Sequence, residues 1–431
     1  LIVGLSDEGN FIASDIPAVL AHTRRILQLA DHEMVRLTKD SAQVFDAHGM
    51  PVNKMETIVN WDVSSAEKGG YAHFMIKEIM EQPQALSATI SPRIDADGSI
   101  VLDGVHLTKK DLQQINRVYM VACGSAYHTC MVGKYIMEKL ARIPVEADLA
   151  SEFRYRDPIV DEHTLVIIVS QSGETADTLA ALREAKRRGA RVLSIVNVVG
   201  STIASESDDV LYTWAGPEIS VATTKAYSTQ LTILYLLAFY FAHKLGHIDD
   251  RDLRRLLSAL IRLPDMVAGI LRQAPDIQQL AQRYAYLDHA YFIGRNLDYA
   301  VALEASLKLK EVSYIHSEAY AAGELKHGTI SLIEEGTFVV ALACHEKLID
   351  KTMSNIKEVK ARGAQVLAVV LEGNRQIFAE ADDVIFVPRT EALFNSLPEI
   401  VPLQLFAYYV ARANGCDIDK PKNLAKSVTV E

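Results

Sequence analysis

Short apolar runs alternate with helix-forming segments along most of the chain. The run Leu-Val-Ile-Ile-Val at residues 165–169 is typical of a buried strand, and the Ala-, Leu- and Arg-rich segment 176–188 favours a helix. This alternation predicts parallel sheets with helices on both faces. The longest apolar stretch, residues 231–242, contains Thr232 and is shorter than the roughly 20 residues that span a bilayer, so we predict a buried helix there.

An internal repeat supports the same fold class. Residues 185–196, Ala-Lys-Arg-Arg-Gly-Ala-Arg-Val-Leu-Ser-Ile-Val, are echoed by residues 359–370, Val-Lys-Ala-Arg-Gly-Ala-Gln-Val-Leu-Ala-Val-Val. Each copy has the pattern of a helix end, a glycine stop and a strand, and an apolar strand precedes each copy at residues 118–124 and 290–294. We therefore predict two copies of one α/β unit, with a charged helical boundary at residues 244–277.

The amino-terminal part has a different pattern. Polar and apolar residues alternate at residues 35–38, 42–45 and 58–61, which indicates strands with one exposed face. We expect the first 75 residues to be a β-rich segment of something larger. Residues 71–83 then predict a connecting helix that ends at Pro83.

A polar cluster, Ser-Gln-Ser-Gly-Glu-Thr, occupies residues 170–175, where a strand passes into a helix; we name it the hydroxyl loop. Ser and Thr before a helix are ordinary caps. Alternatively, the free amides and positive partial charge of a helix start, with nearby hydroxyls, form a site for a phosphate or phosphosugar. The loop has more polar groups than one cap needs, which favours the anion site. Because ligands bind at the carboxyl ends of parallel strands, Ser125 is expected in the same crevice.

The densest set of titratable side chains lies at residues 302–328. Glu304, Lys308 and Glu311 are spaced i, i+4 and i+7, so they share one face of a predicted helix. An exposed ladder of ion pairs is one explanation. The apolar and small residues around the ladder favour a buried helix instead, where charges need partners or a chemical role. His327, in a glycine-bracketed turn, is either incidental or a proton-transfer group.

Composition excludes several classes of partner. The net charge of −11 argues against nucleic acid and against an anionic membrane, so any affinity for phosphate has to be local. No nucleotide-binding glycine motif follows a predicted strand. The four cysteines lie too far apart for a metal knuckle and suit a reducing compartment, so we expect a cytoplasmic protein. Because the chain opens on Leu1, we expect it to be part of a longer protein.

Six motifs together carry a family resemblance: Cys123-Gly124-Ser125 and residues 151–156, 170–175, 224–226, 318–328 and 423–431. In this order they resemble the isomerising glutamine:fructose-6-phosphate aminotransferases, or glucosamine-6-phosphate synthases, over essentially the whole chain. The resemblance implies two tandem sugar-isomerase (SIS) domains, each a parallel sheet with helices on both faces, after the end of an N-terminal-nucleophile glutaminase domain. The expected divisions are a glutaminase remnant with linker at 1–75, SIS domains at 76–265 and 266–420, and an active-site tail at 421–431.

The resemblance also implies roles for single residues. Lys426, which spacing alone would class as a surface lysine, would form a Schiff base with the C2 carbonyl of fructose 6-phosphate. Glu311 would move a proton from C1 to C2, and Lys308 would stabilise charge at O1. His327, reaching the site from the other subunit of a homodimer, would open the sugar ring, and Glu304 would relay protons or orient Lys426. The implied substrate-binding residues are Ser125, Ser170, Gln171, Ser172, Thr175, Val221 and Ala425.

Two residues depart from the family pattern. Ala126 stands where Ser or Thr is usual, which predicts binding weaker by roughly 1 kcal/mol. Thr329 replaces the proline that commonly follows the His-Gly pair, which would loosen the loop that presents His327.

The family's cysteine nucleophile is not in this chain, and this chemistry requires neither metal nor cofactor. We therefore expect the chain alone to isomerise fructose 6-phosphate, and glutamine-derived ammonia to be used only in the intact protein. Two alternatives are a non-catalytic SIS sugar-phosphate sensor, for which Glu311, His327 and Lys426 would be dispensable, and a deglycase-type SIS enzyme.

Overall fold

The computed structural model describes residues 1–13, 16–20, 22–30, 32–59, 67–95 and 97–429, apart from the side chains of residues 16 and 17. Asn60 and Trp61, at the end of one predicted alternating stretch, lie outside the described residues, as do Val430 and Glu431 in the predicted tail. The chain divides into two compact units, Leu1–Ala72 and His73–Glu431.

The first unit is β-rich, as predicted. Its strands form two antiparallel sheets, one in the order β2-β1-β3-β7 and one in the order β4-β5-β6. Alternate residues of β1 face opposite sides: Ile2 packs with Val19, whereas Val3 packs with Leu27 and Val44. Apolar contacts therefore lie on both faces of this strand. The elements are β1 (Ile2–Leu5), β2 (Phe11–Ala13), α1 (Ile16–Leu20), β3 (Arg25–Gln28), β4 (Met34–Leu37), β5 (Ala42–Phe45), β6 (Pro51–Val52) and β7 (Thr57–Ile58).

The second unit begins with α2 (Phe74–Met80) and α3 (Gln82–Ile90). The prediction that Pro83 ends the connecting helix is wrong, because Pro83 lies in the first turn of α3, where a missing N–H is tolerated. Pro83 has no N–H to donate to the carbonyl of Ile79, four residues earlier. That carbonyl accepts the side-chain amide of Gln82 instead, at 3.0 Å. A 3₁₀ turn (Ser91–Arg93) and α4 (Lys109–Gln114) follow.

The first α/β copy contains a five-stranded parallel sheet in the order β12-β11-β10-β8-β9. All seven residues of β10 are buried, as the apolar run predicts. The buried helix predicted at residues 231–242 is confirmed as part of α9. The elements are β8 (Arg117–Ala122), α5 (Gly124–Ala141), β9 (Val145–Leu149), α6 (Ala150–Phe153), β10 (Thr164–Ser170), α7 (Ala176–Arg187), β11 (Arg191–Val196), α8 (Thr202–Glu206), β12 (Asp209–Tyr212) and α9 (Lys225–Leu245).

Three helices connect the copies: α10 (Asp250–Ile261), α11 (Leu263–Leu271) and α12 (Ala274–Arg283). Pro264 lies in the first turn of α11. Among the helices that the structure describes, none is both long and apolar enough to cross a membrane.

The second copy repeats the first. Its parallel sheet has the order β14-β13-β15-β16-β17, so in both copies the first strand lies between the second and the third. The predicted internal repeat is therefore confirmed. The elements are β13 (His289–Gly294), α13 (Leu297–Ser313), β14 (His316–Ala321), β15 (Phe338–Ala343), α14 (Ile349–Lys360), β16 (Gln365–Leu371), β17 (Asp383–Val387) and α15 (Ser396–Ala413), with 3₁₀ turns at Ala322–His327, Thr329–Leu332, Glu346–Leu348, Gln376–Ala379 and Ala392–Phe394.

One apolar core joins the two copies. Alternate residues of β10, including Ile167, and of β15, including Val340, pack into the same cluster together with residues of α5, α9, α13 and α15. The opposite faces of the two sheets pack against separate clusters. The helices on both faces that the pattern predicted are thus present, and the inner layer places α5 of the first copy beside α13 of the second.

The hydrogen bonds of Gln82 generate a first prediction. Its side chain is fully buried and contacts the Ile79 carbonyl, Gln404 and the hydroxyl of Ser228. Gln82→Leu keeps the shape but leaves these polar groups without partners, so we expect the free energy of unfolding to fall by about 2 kcal/mol. Urea denaturation measures the loss, with exposed Gln113→Leu in α4 as the control. Equal stability of the two variants would contradict this account.

Candidate active site

The hydroxyl loop joins β10 to α7 and is ordered by two of its own hydroxyls. Ser170 accepts the N–H of Gly173 at 3.0 Å, and Ser172 accepts the N–H of Glu174 at 3.2 Å. Gly173 has a φ of 68°, which glycine adopts without strain. Within the described residues, Thr175 precedes α7 but makes no side-chain cap. Capping therefore does not account for the whole cluster.

Neighbouring segments fix the hydroxyl loop from outside. The carboxylate of Glu174 accepts both the N–H and the hydroxyl of Thr202, each at 2.8 Å. The carbonyl of Gln171 accepts the N–H of Asn197 at 3.1 Å. The loop is thus tied to the segment between β11 and α8, and its backbone is held in place before any ligand binds.

The predicted charged ladder is buried, not exposed. Glu304 and Lys308 in α13 have fully buried side chains, and that of Glu311 is 21% exposed. The Lys308 Nζ atom lies 3.4 Å from Glu304 Oε1 and 2.5 Å from Glu311 Oε2, and it donates to the hydroxyl of Ser125 at 2.9 Å. Ser125, after β8, is therefore joined to the second copy through the ammonium group.

The charged groups of this cluster, Glu304, Lys308 and Glu311, all lie on α13 of the second copy. Burial opposes the charge of Lys308, but the carboxylates of Glu304 and Glu311 outweigh it and raise the pKa of Lys308, so that its side chain is an ammonium ion. His128 of α5 lies 2.8 Å from the second oxygen of Glu304. An ammonium ion and two carboxylates are thus fixed beside the crevice at the end of β8.

The carboxyl-terminal tail brings Lys426 to a buried acid. Its Nζ atom donates to Glu218 Oε2 at 2.6 Å, and the other oxygen of Glu218 accepts the N–H groups of Thr224 and Ala226. Burial would raise the pKa of Glu218, but Lys426 and these N–H groups together lower it, so Glu218 is ionised. Glu218 also helps to raise the pKa of Lys308, so this carboxylate acts electrostatically on both lysines.

The tail also closes over the hydroxyl loop. The hydroxyls of Ser427 and Ser172 are 3.1 Å apart, and the carbonyl of Val428 accepts the N–H of Ala176 at 3.0 Å. The start of α7 is thus capped by the tail backbone.

Two predicted substrate-binding residues lie along the path of the tail. Val221 donates its N–H to the carbonyl of Asp419 at 3.1 Å, and Ala425 is exposed immediately before Lys426.

His327 is not brought to this cluster by its own chain. It is the last residue of the 3₁₀ turn Ala322–His327, and its side chain is exposed. In the described ranges, no hydrogen bond or ion pair joins its ring to the other predicted residues. Nor do those ranges contain three or more His, Cys, Asp or Glu side chains grouped to hold a metal ion.

Comparisons with known proteins agree with this architecture. Residues 111–240 and 285–412 match the SIS domain family. The glutamine–fructose-6-phosphate aminotransferases [isomerizing] of Clostridium tetani and Caldanaerobacter subterraneus are 55% and 56% identical, over 100% of this chain and 71% of theirs. The chain belongs to the isomerising glutamine–fructose-6-phosphate aminotransferase family. It therefore spans 71% of the length of these relatives.

A solved structure supports the family assignment. The C-terminal domain of glucosamine-fructose-6-phosphate aminotransferase from Francisella tularensis is 38% identical, with a TM-score of 0.77, over 82% of this chain and 100% of that one. A glucosamine-6-phosphate deaminase from Thermotoga maritima is less similar, at 26% identity and a TM-score of 0.64. The aminotransferase family that the motifs indicated is thus confirmed, together with the tandem SIS fold.

Three residues that organise the candidate site were not among the predicted site residues: His128, Glu174 and Glu218. His128 and Glu174 have no local pattern that predicts their partners, which lie 176 and 28 residues further along the chain. Glu218 had one usable signal, because an acidic residue shortly before a helix often binds the free amides of its first turn.

The crowding around Gly173 gives a second prediction. A Cβ atom at this position would lie 2.0 Å from the hydroxyl of Ser201, whereas one at Gly189, which also has positive φ, would lie 3.8 Å from its nearest neighbour. Gly173→Ala should therefore lower the free energy of unfolding by about 2 kcal/mol more than Gly189→Ala. Calorimetry of both variants measures the difference. Matching losses would show that the loop accommodates the methyl group.

Proposed function

We propose that this chain carries out the sugar-isomerising part of the reaction named for its relatives, with fructose 6-phosphate as substrate. The observation that carries the proposal is the convergence of distant segments. Lys308 contacts Ser125, the tail contacts Ser172 and Ala176, and Glu218 holds Lys426. An anion loop, a buried acid-base helix and an amine-bearing tail suit a phosphorylated ketose.

In the proposed reaction, the hydroxyl loop binds the phosphate. Its helix-start amides and the hydroxyls of Ser170, Ser172 and Thr175 are suitable donors, with Ser125, Gln171, Val221 and Ala425 placed along the sugar. Ala126 offers no hydroxyl, so the loop and Ser125 have to supply the contacts.

The chemistry begins at Lys426. Its ammonium group gives up a proton, and the free amine attacks C2 of the open-chain sugar, forming an imine and releasing water. Hydrolysis of this imine delivers the open-chain ketose and regenerates Lys426. Glu311 then removes a proton from C1 and returns it at C2, while a proton moves from O1 to O2, which converts the ketose to the aldose. Lys308 stabilises negative charge at O1, and Glu304 orients Lys308.

In the intact protein, we propose that ammonia released from glutamine by a glutaminase domain becomes the amino group of glucosamine 6-phosphate. Residues 1–75 are assigned to that domain and its linker, residues 76–265 and 266–420 to the two SIS domains, and residues 421–431 to the tail. All four cysteines are free thiols, which suits the proposed cytoplasmic location.

Removing the reactive groups provides a third prediction. Lys426→Ala and Glu311→Gln should each reduce conversion of fructose 6-phosphate to glucose 6-phosphate by about 100-fold or more, because each removes a group that bonds to substrate or moves its proton. A coupled glucose-6-phosphate assay measures the rate. Lys420→Ala, at an exposed lysine directly before the tail, should retain the wild-type rate. Equal rates for all four proteins would point to a non-catalytic sensor.

We further propose a homodimer in which His327 acts in the site of the partner subunit, since His327 is exposed and contacts no predicted site residue of its own chain. Mixing inactive Lys426→Ala and His327→Ala chains under subunit exchange is then expected to restore about one quarter of the wild-type sites. Each mixed dimer would hold one complete site and one doubly defective site. Failure to recover activity after verified exchange would place His327 outside the partner's site.

A further inference from the structure

A second buried acid lies behind the Glu218–Lys426 pair. Glu78, in the middle of α2, is 2% exposed. Its Oε1 atom accepts the N–H of Ile219 at 2.5 Å and the N–H of Ser220 at 3.2 Å. These two residues directly follow Glu218. Glu78 therefore fixes the backbone that sets the position of the carboxylate holding Lys426.

Further hydrogen bonds join α2 to Asp419, two residues before the tail. The carboxylate of Asp419 accepts the N–H groups of Phe74 and Met75 at the start of α2, at 3.0 and 3.1 Å. The Asp419 carbonyl accepts the N–H of Val221, three residues after Glu218. Helix α2, the Glu218 loop and the tail thus form one hydrogen-bonded assembly around Lys426.

Glu78 also has unusual electrostatics. Its Oε2 atom is buried and accepts no hydrogen bond from any described residue. Burial and then the negative charge of Glu218 raise the pKa of Glu78 to about 8, against the opposing effects of Lys426, the Ile219 N–H and Lys225. At neutral pH Glu78 therefore keeps its proton while Glu218 is ionised. The elements around Glu78 also carry Lys77 and Glu81 on α2, which pair with each other, Lys225, which pairs with Glu81, and Asp419, which binds the start of α2.

We propose that Glu78 is a positioning residue for Lys426, which sets where Glu218 holds the ammonium group and, through its own proton, how firmly. The inference rests on the proposed Schiff-base role of Lys426. A lysine attacks a carbonyl only as the neutral amine, so the Glu218–Lys426 pair has to lose a proton before reaction.

The charge of Glu78 determines in which direction the pH at which Lys426 becomes reactive is shifted. When Glu78 ionises above neutral pH, its negative charge stabilises the nearby ammonium ion, so Lys426 needs a higher pH to become reactive. In Glu78→Gln the carbonyl oxygen still accepts the N–H groups of Ile219 and Ser220, but no charge can appear. Lys426 should then become reactive at a lower pH than in the wild type.

Borohydride trapping with fructose 6-phosphate, followed by mass spectrometry of Lys426, tests the proposal across pH 6 to pH 10. The midpoint of adduct formation in Glu78→Gln should lie about one pH unit below that of the wild type, with equal maximal yield. Glu78→Leu removes the acceptor as well and should lower the yield several-fold at every pH. Glu335→Gln, which makes the same Glu-to-Gln change at an exposed position, should match the wild type.

A midpoint in Glu78→Gln equal to that of the wild type would overturn the proposal, whether or not Glu78→Leu folds. Absence of an adduct in the wild type at every pH would instead refute the Schiff-base function, and the inference with it.

Thermal unfolding provides a readout that is independent of activity. Because the pKa of Glu78 is raised from 4.5 to about 8 on folding, stability is lost progressively as pH rises between these values. The Tm of Glu78→Gln should therefore increase relative to the wild type over this window. A difference in Tm that does not vary with pH would contradict the protonated state assigned to Glu78.

Discussion

The burial of Lys308 is the constraint on which the arrangement of the two copies depends. An ammonium ion without solvent contact is stable only when acceptors surround it, and removing one partner of such a buried pair typically costs about 3–5 kcal/mol. Here the acceptors come from both copies: Glu304 and Glu311 from α13, and Ser125 from α5. His128 extends the network back into α5. The apolar core brings the two helices together, and this polar network fixes their relative position.

The tail adds what neither copy contains. The first copy contains the hydroxyl loop and the second contains the charged helix α13, and the amine proposed to attack the carbonyl belongs to Lys426 of the tail. The tail is attached by polar contacts alone among those described above. They join it to Glu218, Ser172 and Ala176. Such contacts each contribute little net free energy, so the order of the tail depends on several of them together.

Sequence reasoning was most successful where one local pattern determines one local structure. The fully apolar run of β10, the glycine stops of the repeat and the Glu304–Lys308–Glu311 spacing each predicted an element or a shared face that the structure contains. Pro83 was misread because proline is compatible with both the end of one helix and the first turn of the next. Glu218 was missed although Thr224 and Ala226, whose N–H groups it accepts, follow shortly in the sequence. Glu78 was missed for a different reason: its partners, Ile219 and Ser220, meet it only in the tertiary structure, and a buried acid has no periodic signature.

The two copies have the same strand order but differ at the end of their third strands. The register of the central strands aligns Ala126 with Asp298, and Gln171 and Ser172 with Cys344 and His345. In the second copy the carboxylate of Asp298 accepts the N–H groups of both Cys344 and His345, at 3.0 and 3.1 Å.

That carboxylate binds the amides that an anionic ligand would otherwise use. In the first copy Ala126 has no side-chain acceptor, so the corresponding amides of the hydroxyl loop are not bound by the equivalent side chain. In the second copy Asp298 therefore fills from within the position that Ala126 leaves without a side-chain acceptor in the first. One fold, present twice, is thus suited in the first copy to the proposed phosphate site, whereas in the second copy the equivalent amides are already bound by Asp298.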